Sequence, residues 1–378
     1  MNPPAHVPVR RSFEQSRGHE SLVEQHCIYP DPPILVLHGP EIFDSGEAGW
    51  LIDRIQPSRS IVAGVMARTA AEESHLPVEF QSEPPSFVIR SLIRPPILAN
   101  RGKNPESGQI FGDIVASRLQ DTGRGLVQIE CSNRTIIIWD DGNRALASTL
   151  SRLTGFILVE AASTRDVQTD ERRIRGCIPG EAVYVNGIII GRAMADTVVL
   201  RSSEEGIQPV SGLAPKVHGI EKLKTQGPID LSAAWCKSGS IRSAPPCRST
   251  RTDHVGRVVV IDHCGHEIYQ RIGHGCCGVL AIGDDTTAVC GHICAHRGIP
   301  VLGIVDGDCD GIVLETFADG SVVVQADMER DDDLGTEVAP MAGGRPVVWD
   351  DWVSSVLQML GDRVKVVVDT RERPDAVR

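Results

Sequence analysis

The apolar residues of this chain fall into short unbroken runs, and each run ends in a cluster of polar residues and glycine. Runs at 34–37, 61–65, 96–99, 258–261, 279–282 and 301–305 read as buried strands, since continuous branched character fits a sheet covered on both faces. Further strands are expected at 126–130, 135–139, 321–325 and 364–368. Helices are expected between them, from Asp44 or Ser45 to about Ile55, on to Ser74, and at about 109–119, 286–296 and 349–360. This alternation predicts an α/β fold with two Rossmann-like parallel-sheet domains, at 34–155 and 251–378. Between them helical periodicity fades. A hairpin signal (182–185, Asn186-Gly187, 188–190) and a strand at 197–200 predict a β-rich middle segment and linker over 156–250. Residues 1–33 carry Pro, Arg, Ser and His without periodicity and read as a flexible N-terminal tail.

Composition narrows the function classes. A chain of 378 residues with 41% hydrophobic content can fill two or three cores. A net charge of -12 opposes contact with a phosphate backbone, and 4% aromatics gives few stacking platforms, so no nucleic acid partner is expected. No apolar run approaches the roughly 20 residues that span a bilayer, and the first 30 residues hold no signal-like stretch, so a cytoplasmic location without membrane contact is expected. The 11 cysteines are then expected as thiols. Self-association into a homo-oligomer is compatible with everything in the sequence.

Chemistry concentrates in 257–311, where three successive strands deliver polar loops to one sheet edge. In open α/β sheets the crevice outside the carboxyl ends of the strands binds ligands. The first loop offers His263 and His266 for proton transfer. The second, Gly283-Asp284-Asp285-Thr286-Thr287, opens a helix. There Gly283 permits close approach, Thr286 and Thr287 suit an anion, Asp284 suits a ribose hydroxyl or a cation, and Asp285 is a catalytic candidate. A plain helix cap explains the same residues. The third loop carries Asp306, Asp308 and Asp310. Their mutual repulsion, roughly 1–4 kcal/mol per pair, is relieved by water, a ligand or a divalent cation, and carboxylate oxygens favour Mg over zinc. An Asp/Gly turn is the plainer reading.

Equivalent strand ends in the first domain carry His38, Gly39 and Glu41, with Arg68 and Lys103 available for a small-molecule anionic ligand. The stretch 237–243 is a further anion candidate. Six cysteines and five histidines also crowd 263–309, but no Cys-x-x-Cys pair occurs, and Cys290 sits where a core residue is expected.

The stretches His38-Gly39-Pro40-Glu41-Ile42-Phe43-Asp44-Ser45-Gly46-Glu47, Gly283-Asp284-Asp285-Thr286-Thr287-Ala288-Val289 and Gly298-Ile299-Pro300-Val301 on to Asp310 resemble a conserved archaeal protein family, mostly from methanogens, known only as a domain of unknown function. The likeness covers nearly everything after the tail and implies a cytoplasmic archaeal protein; it carries no activity to transfer. Residues 304–311 are more faintly similar to the metal-binding Asp-x-Asp strand end of Toprim domains. The Glu-Gly strand end those domains carry upstream is absent, which argues against nucleic-acid chemistry. The sequence thus points to a binder of a small anionic or phosphorylated metabolite or nucleotide with Mg, acting as a metal-dependent enzyme. A non-catalytic sensor and a Cys/His metal or redox protein are the alternatives.

Overall fold

In the computed structural model of the protein, the described residues are 31–164, 171–186, 188–203, 206–225, 229–231, 234, 236–239, 242–250, 254–306 and 317–371. Pro33 to Arg378 form one contact-dense unit. Of the expected tail, residues 1–33, positions 1–30 lie outside the described residues.

Seven strands build the first sheet: β1 (Ile34–His38), β2 (Arg59–Ala63), β3 (Glu79–Gln81), β4 (Ile97–Asn100), β5 (Leu126–Glu130), β6 (Thr135–Trp139) and β7 (Ile157–Ala161). Their order is β3-β2-β1-β4-β5-β6-β7, parallel from β3 to β5, with β6 antiparallel to β5 and β7 parallel to β6. The unbroken apolar runs are buried on both faces, as their composition demands. The sheet extends to Ala161, past the boundary expected at 155, because 157–161 pairs in register with β6.

The middle segment carries seven strands among its described residues: β8 (Glu171–Arg175), β9 (Ala182–Val185), β10 (Ile188–Ala193), β11 (Thr197–Ser203), β12 (Gly206–Ser211), β13 (Leu213–Pro215) and β14 (Cys236–Ser238). They form a four-stranded and a three-stranded sheet around one apolar core. The hairpin sits where the Asn-Gly signal placed it, with Asn186 at φ 50°, the left-handed geometry a tight primed turn needs. The helix Val217–Thr225 packs on β10.

The last sheet contains β15 (Val255–Asp262), β16 (Cys276–Ile282), β17 (Val301–Val305), β18 (Val322–Ala326), β19 (Val347–Val348) and β20 (Val364–Asp369), in the order β19-β15-β16-β17-β18-β20. β15 to β18 are parallel, and β19 and β20 are antiparallel edges. One face packs on the helices Asp331–Val338 and Trp349–Leu360, the other on Asp284–Arg297, giving three layers. Gly278 admits the Trp349 ring, since a Cβ there would lie 2.0 Å from it. The two large sheets interlock through Tyr269: its hydroxyl meets Thr69 Oγ1 at 2.5 Å, and Arg68 and Arg297 stack on its ring.

Candidate functional site

The parallel strands of the last sheet end together, so the residues that follow them share one edge. β16 leads into Gly283 and Asp284, β17 into Asp306, and Asp331 opens the helix that follows β18. Carboxylate oxygens of Asp284, Asp306 and Asp331 all lie within 4.8 Å of one another. Asp331 is fully buried. The middle segment faces this trio with a basic helix: Lys222 Nζ donates to both Asp331 oxygens at 3.0 Å and lies 3.8 Å from Asp306, and His218 Nε2 lies 3.5 Å from Asp306.

One ammonium cannot balance three carboxylates in a dry site. Burial pushes Asp331 above the usual carboxylate range. Burial, then the negative charge and hydrogen bond of Asp306, push Asp284 up to about 7. Burial opposes the charge of Lys222, but the aspartates beside it outweigh burial and raise its pKa. Asp284 Oδ1 is buried and meets no donor. An all-oxygen donor set with an unsatisfied buried oxygen and excess negative charge fits a hard divalent cation such as Mg.

His263 flanks this edge. Its Nδ1 pairs with Asp262 Oδ1 at 2.5 Å, and its Nε2 points toward Asp332 Oδ1 at 3.5 Å. Gly283, at φ 103°, makes room for the ring. The cavity enclosed by Asp284, Asp306, His218, Lys222, His263 and Thr286 has a volume of about 20 Å³. That holds a cation or a water or two, so a larger ligand docks at its mouth.

The other expected residues are placed as follows. The helix starts at Asp284, two residues earlier than its pattern suggested, which puts Asp284 and Asp285 in its first turn. Asp285 lines the cavity but spends one oxygen on the backbone N–H of Ile189, 2.9 Å away, which ties the middle segment to the sheet. Thr286 lines the cavity at 2% exposure. Thr287 does not: its side chain is fully buried against Gly303 and its hydroxyl has no partner, so it packs the helix onto the sheet. Asp308, Asp310 and the His266 side chain lie outside the described residues.

His38, Gly39, Glu41 and Lys103 belong to the carboxyl edge of the first sheet, at or just after the ends of the paired strands β1 and β4, and none lines the cavity. His38 is stacked on Phe111 and bonded through Nδ1 to Ala63 O at 2.9 Å; burial lowers its pKa to about 4. Lys103 is held by Glu181, at 2.8 Å, and by Ser238. Arg68 is bonded to Glu72 at 2.9 Å and stacked on Phe80 and Tyr269, a structural clamp. From 237–243, Arg242 pairs with Asp44 and Glu73, and burial lowers Lys237 to about 8. Ser240 and Ile241 lie outside the described residues.

The cysteines of the last sheet belong to its core. Cys290 and Cys294 have no exposed surface, and burial raises both thiols far from the thiolate state that metal ligation or redox exchange needs. Among the described residues, no cysteine joins a cluster of three metal-ligand types. Pattern reading missed Asp331, Asp332, Lys222 and His218. The run from Glu329 to Asp333 marked the first two as merely acidic, and nothing local marks the basic pair.

A family model described as an uncharacterized protein conserved in archaea (DUF2117) matches residues 35–342. The chain is also similar to an uncharacterized protein of Methanocaldococcus jannaschii, 33% identical over 326 residues that cover 80% of this chain and 88% of that one. No solved structure matches it. Among the described residues, no helix is long and apolar enough to cross a membrane. With the family model spanning most of the α/β framework and the acidic edge, the chain belongs to the DUF2117 family of uncharacterized archaeal proteins.

Proposed function

We propose that the protein binds a divalent cation, Mg by its donor set, together with a small anionic or phosphorylated metabolite or nucleotide, and acts on it as a metal-dependent enzyme. The observation that carries this reading is the meeting of Asp284, Asp306 and Asp331 within 4.8 Å, from three separate segments, opposite Lys222 and His218. The aspartates would hold the cation, which supplies charge neutralisation for a phosphate. Lys216, His218 and Lys222 line the opposite wall and suit the ligand's remaining negative charge. Thr286, in the first helical turn, sits where an oxyanion meets free backbone N–H groups.

Calorimetric titration of the full chain with Mg, about one pH unit above the raised Asp284 pKa, tests the reading. Saturable binding that Asp306→Asn abolishes supports it, and no heat with Mg or Mn in the folded wild type ends it. Once a cation is bound, thermal shifts across nucleotides and phosphorylated metabolites identify the second ligand. Turnover of that compound makes the protein an enzyme, and binding without turnover makes it a sensor.

A further inference from the structure

A second group of metal-ligand side chains adjoins the aspartate trio: Asp262, His263 and Asp332 also bring one ligand atom each within 4.8 Å of the others. Its centre is an imidazole that the chain takes trouble to aim. His263 adopts φ 49°, a left-handed conformation that non-glycine residues seldom take. This turns its ring under the strand end, against Gly283, where any Cβ would lie 2.8 Å from Nε2. Asp262 Oδ1 accepts the Nδ1–H at 2.5 Å. A carboxylate can only accept, so the lone pair of the neutral ring is on Nε2. That Nε2 is buried and has no hydrogen-bond partner. Asp332 Oδ1, at 3.5 Å, is too distant and too poorly placed to be one. The other oxygen, Asp332 Oδ2, is bonded to Arg330 at 3.1 Å, which leaves Oδ1 facing the imidazole.

A buried imidazole lone pair, a carboxylate behind its other nitrogen and a second carboxylate in front make up the donor pattern of a histidine metal ligand with its orienting partner. The solvent side stays open, since the Asp262 and Asp332 side chains are 62% and 36% exposed, and water or a ligand oxygen can complete the coordination there. Asp331 and Asp332 are neighbours at one helix start, and His263 packs on the glycine that precedes Asp284, so the two groups adjoin.

From this geometry we infer that His263 Nε2 and Asp332 Oδ1 hold a second divalent cation beside the one at Asp284, Asp306 and Asp331, with Asp262 as the positioning residue that orients the ring. The inference rests on the cation reading of the aspartate trio. An imidazole donor moves the second position's preference from Mg toward Mn or Zn. Two adjacent cations would supply charge neutralisation for a ligand with several anionic oxygens, and within the ligand class proposed above they favour phosphate esters and phosphoanhydrides.

Mn titration of the full chain, read by calorimetry and by electron paramagnetic resonance, decides it. Two Mn per chain with a spin-coupled spectrum are expected in the wild type. His263→Asn, which keeps a residue that tolerates the left-handed backbone, is expected to bind one Mn and lose the coupling. Asp262→Asn is expected to weaken the second Mn about 10–100-fold while leaving the first unchanged. It also serves as the readout if His263→Asn does not fold. One Mn in the wild type, abolished by Asp306→Asn, overturns the second site and leaves His263 as an Asp-oriented base while the trio stands. Two Mn that survive both His263→Asn and Asp262→Asn overturn the assignment of ligands. No Mn in any folded variant removes the trio's reading and this one with it.

Discussion

Replacing Lys222 with methionine isolates the charge balance of the aspartate trio, because methionine keeps most of the apolar stem and removes only the ammonium. Lys222 Nζ lies 3.0 Å from each Asp331 oxygen and 3.8 Å from Asp306, and all three side chains are at least four-fifths buried. At an effective dielectric of about 20, those separations correspond to attractions of roughly 5 and 4 kcal/mol. Desolvation of the ammonium offsets part of this. Loss of one partner from a buried pair costs about 3–5 kcal/mol, since the other charge is left uncompensated. Among the described residues, the donor that remains to Asp331 is the N–H of Asp332, at 2.9 Å. The metal-free Lys222→Met protein is therefore expected to lose about 3–5 kcal/mol in urea denaturation. The double variant Lys222→Met/Asp331→Asn should recover most of the loss, because no unpaired charge then remains. Mg should stabilise the single variant more than the wild type, as the cation takes over the missing positive charge. A Lys222→Met protein within about 1 kcal/mol of wild type in metal-free buffer would falsify the counter-ion role. A destabilised variant that Mg fails to stabilise would refute the cation site itself.

Two further outcomes are expected. Burial lowers the pKa of both His38 and His292 from 6.5 to about 4. Between these values the unfolded chain binds protons that the folded one does not, so stability should fall as pH drops from about 6.5 to 4, by up to about 3 kcal/mol for each ring. Urea midpoints across that range check it, and His292→Gln should flatten the slope; an unchanged slope in that variant refutes the contribution of His292. Gly278→Ala would drive a methyl to within 2.0 Å of the Trp349 ring and should cost about 1–3 kcal/mol or more. Wild-type thermal stability in that variant would show that the ring has room the packing denies.

The strand pattern was readable because a parallel strand buried on both faces has little freedom of composition. The runs at 34–37, 96–99, 279–282 and 301–305 all enter parallel pairs, and the Asn-Gly turn fixed the hairpin between β9 and β10. Register at the ends was less readable. Phe156 and the strand after it look like the start of a new segment, yet β7 joins the first sheet, because pairing with β6 is a tertiary fact that no local signal encodes. Thr287 shows the same limit on a smaller scale. A hydroxyl in a helix's first turn suits an anion, but the turn's rotation aims this one at Gly303.

The candidate site divides along the same line. Part of its acidic half was legible, because residues that directly follow parallel strands share an edge, and Asp284 and Asp306 follow β16 and β17; Asp331, which opens a helix, was not. Its basic half was not, because Lys222 and His218 reach the site from a helix of the middle segment that is sixty or more residues distant along the chain. Docking of that helix depends on contacts such as Asp285 with the Ile189 N–H, which pattern alone cannot anticipate. A sheet edge offering only carboxylates attracts cations without discrimination. A basic wall delivered by a separate segment would let the same edge prefer a cation that arrives with an anion, in keeping with the proposed metal-bound phosphate.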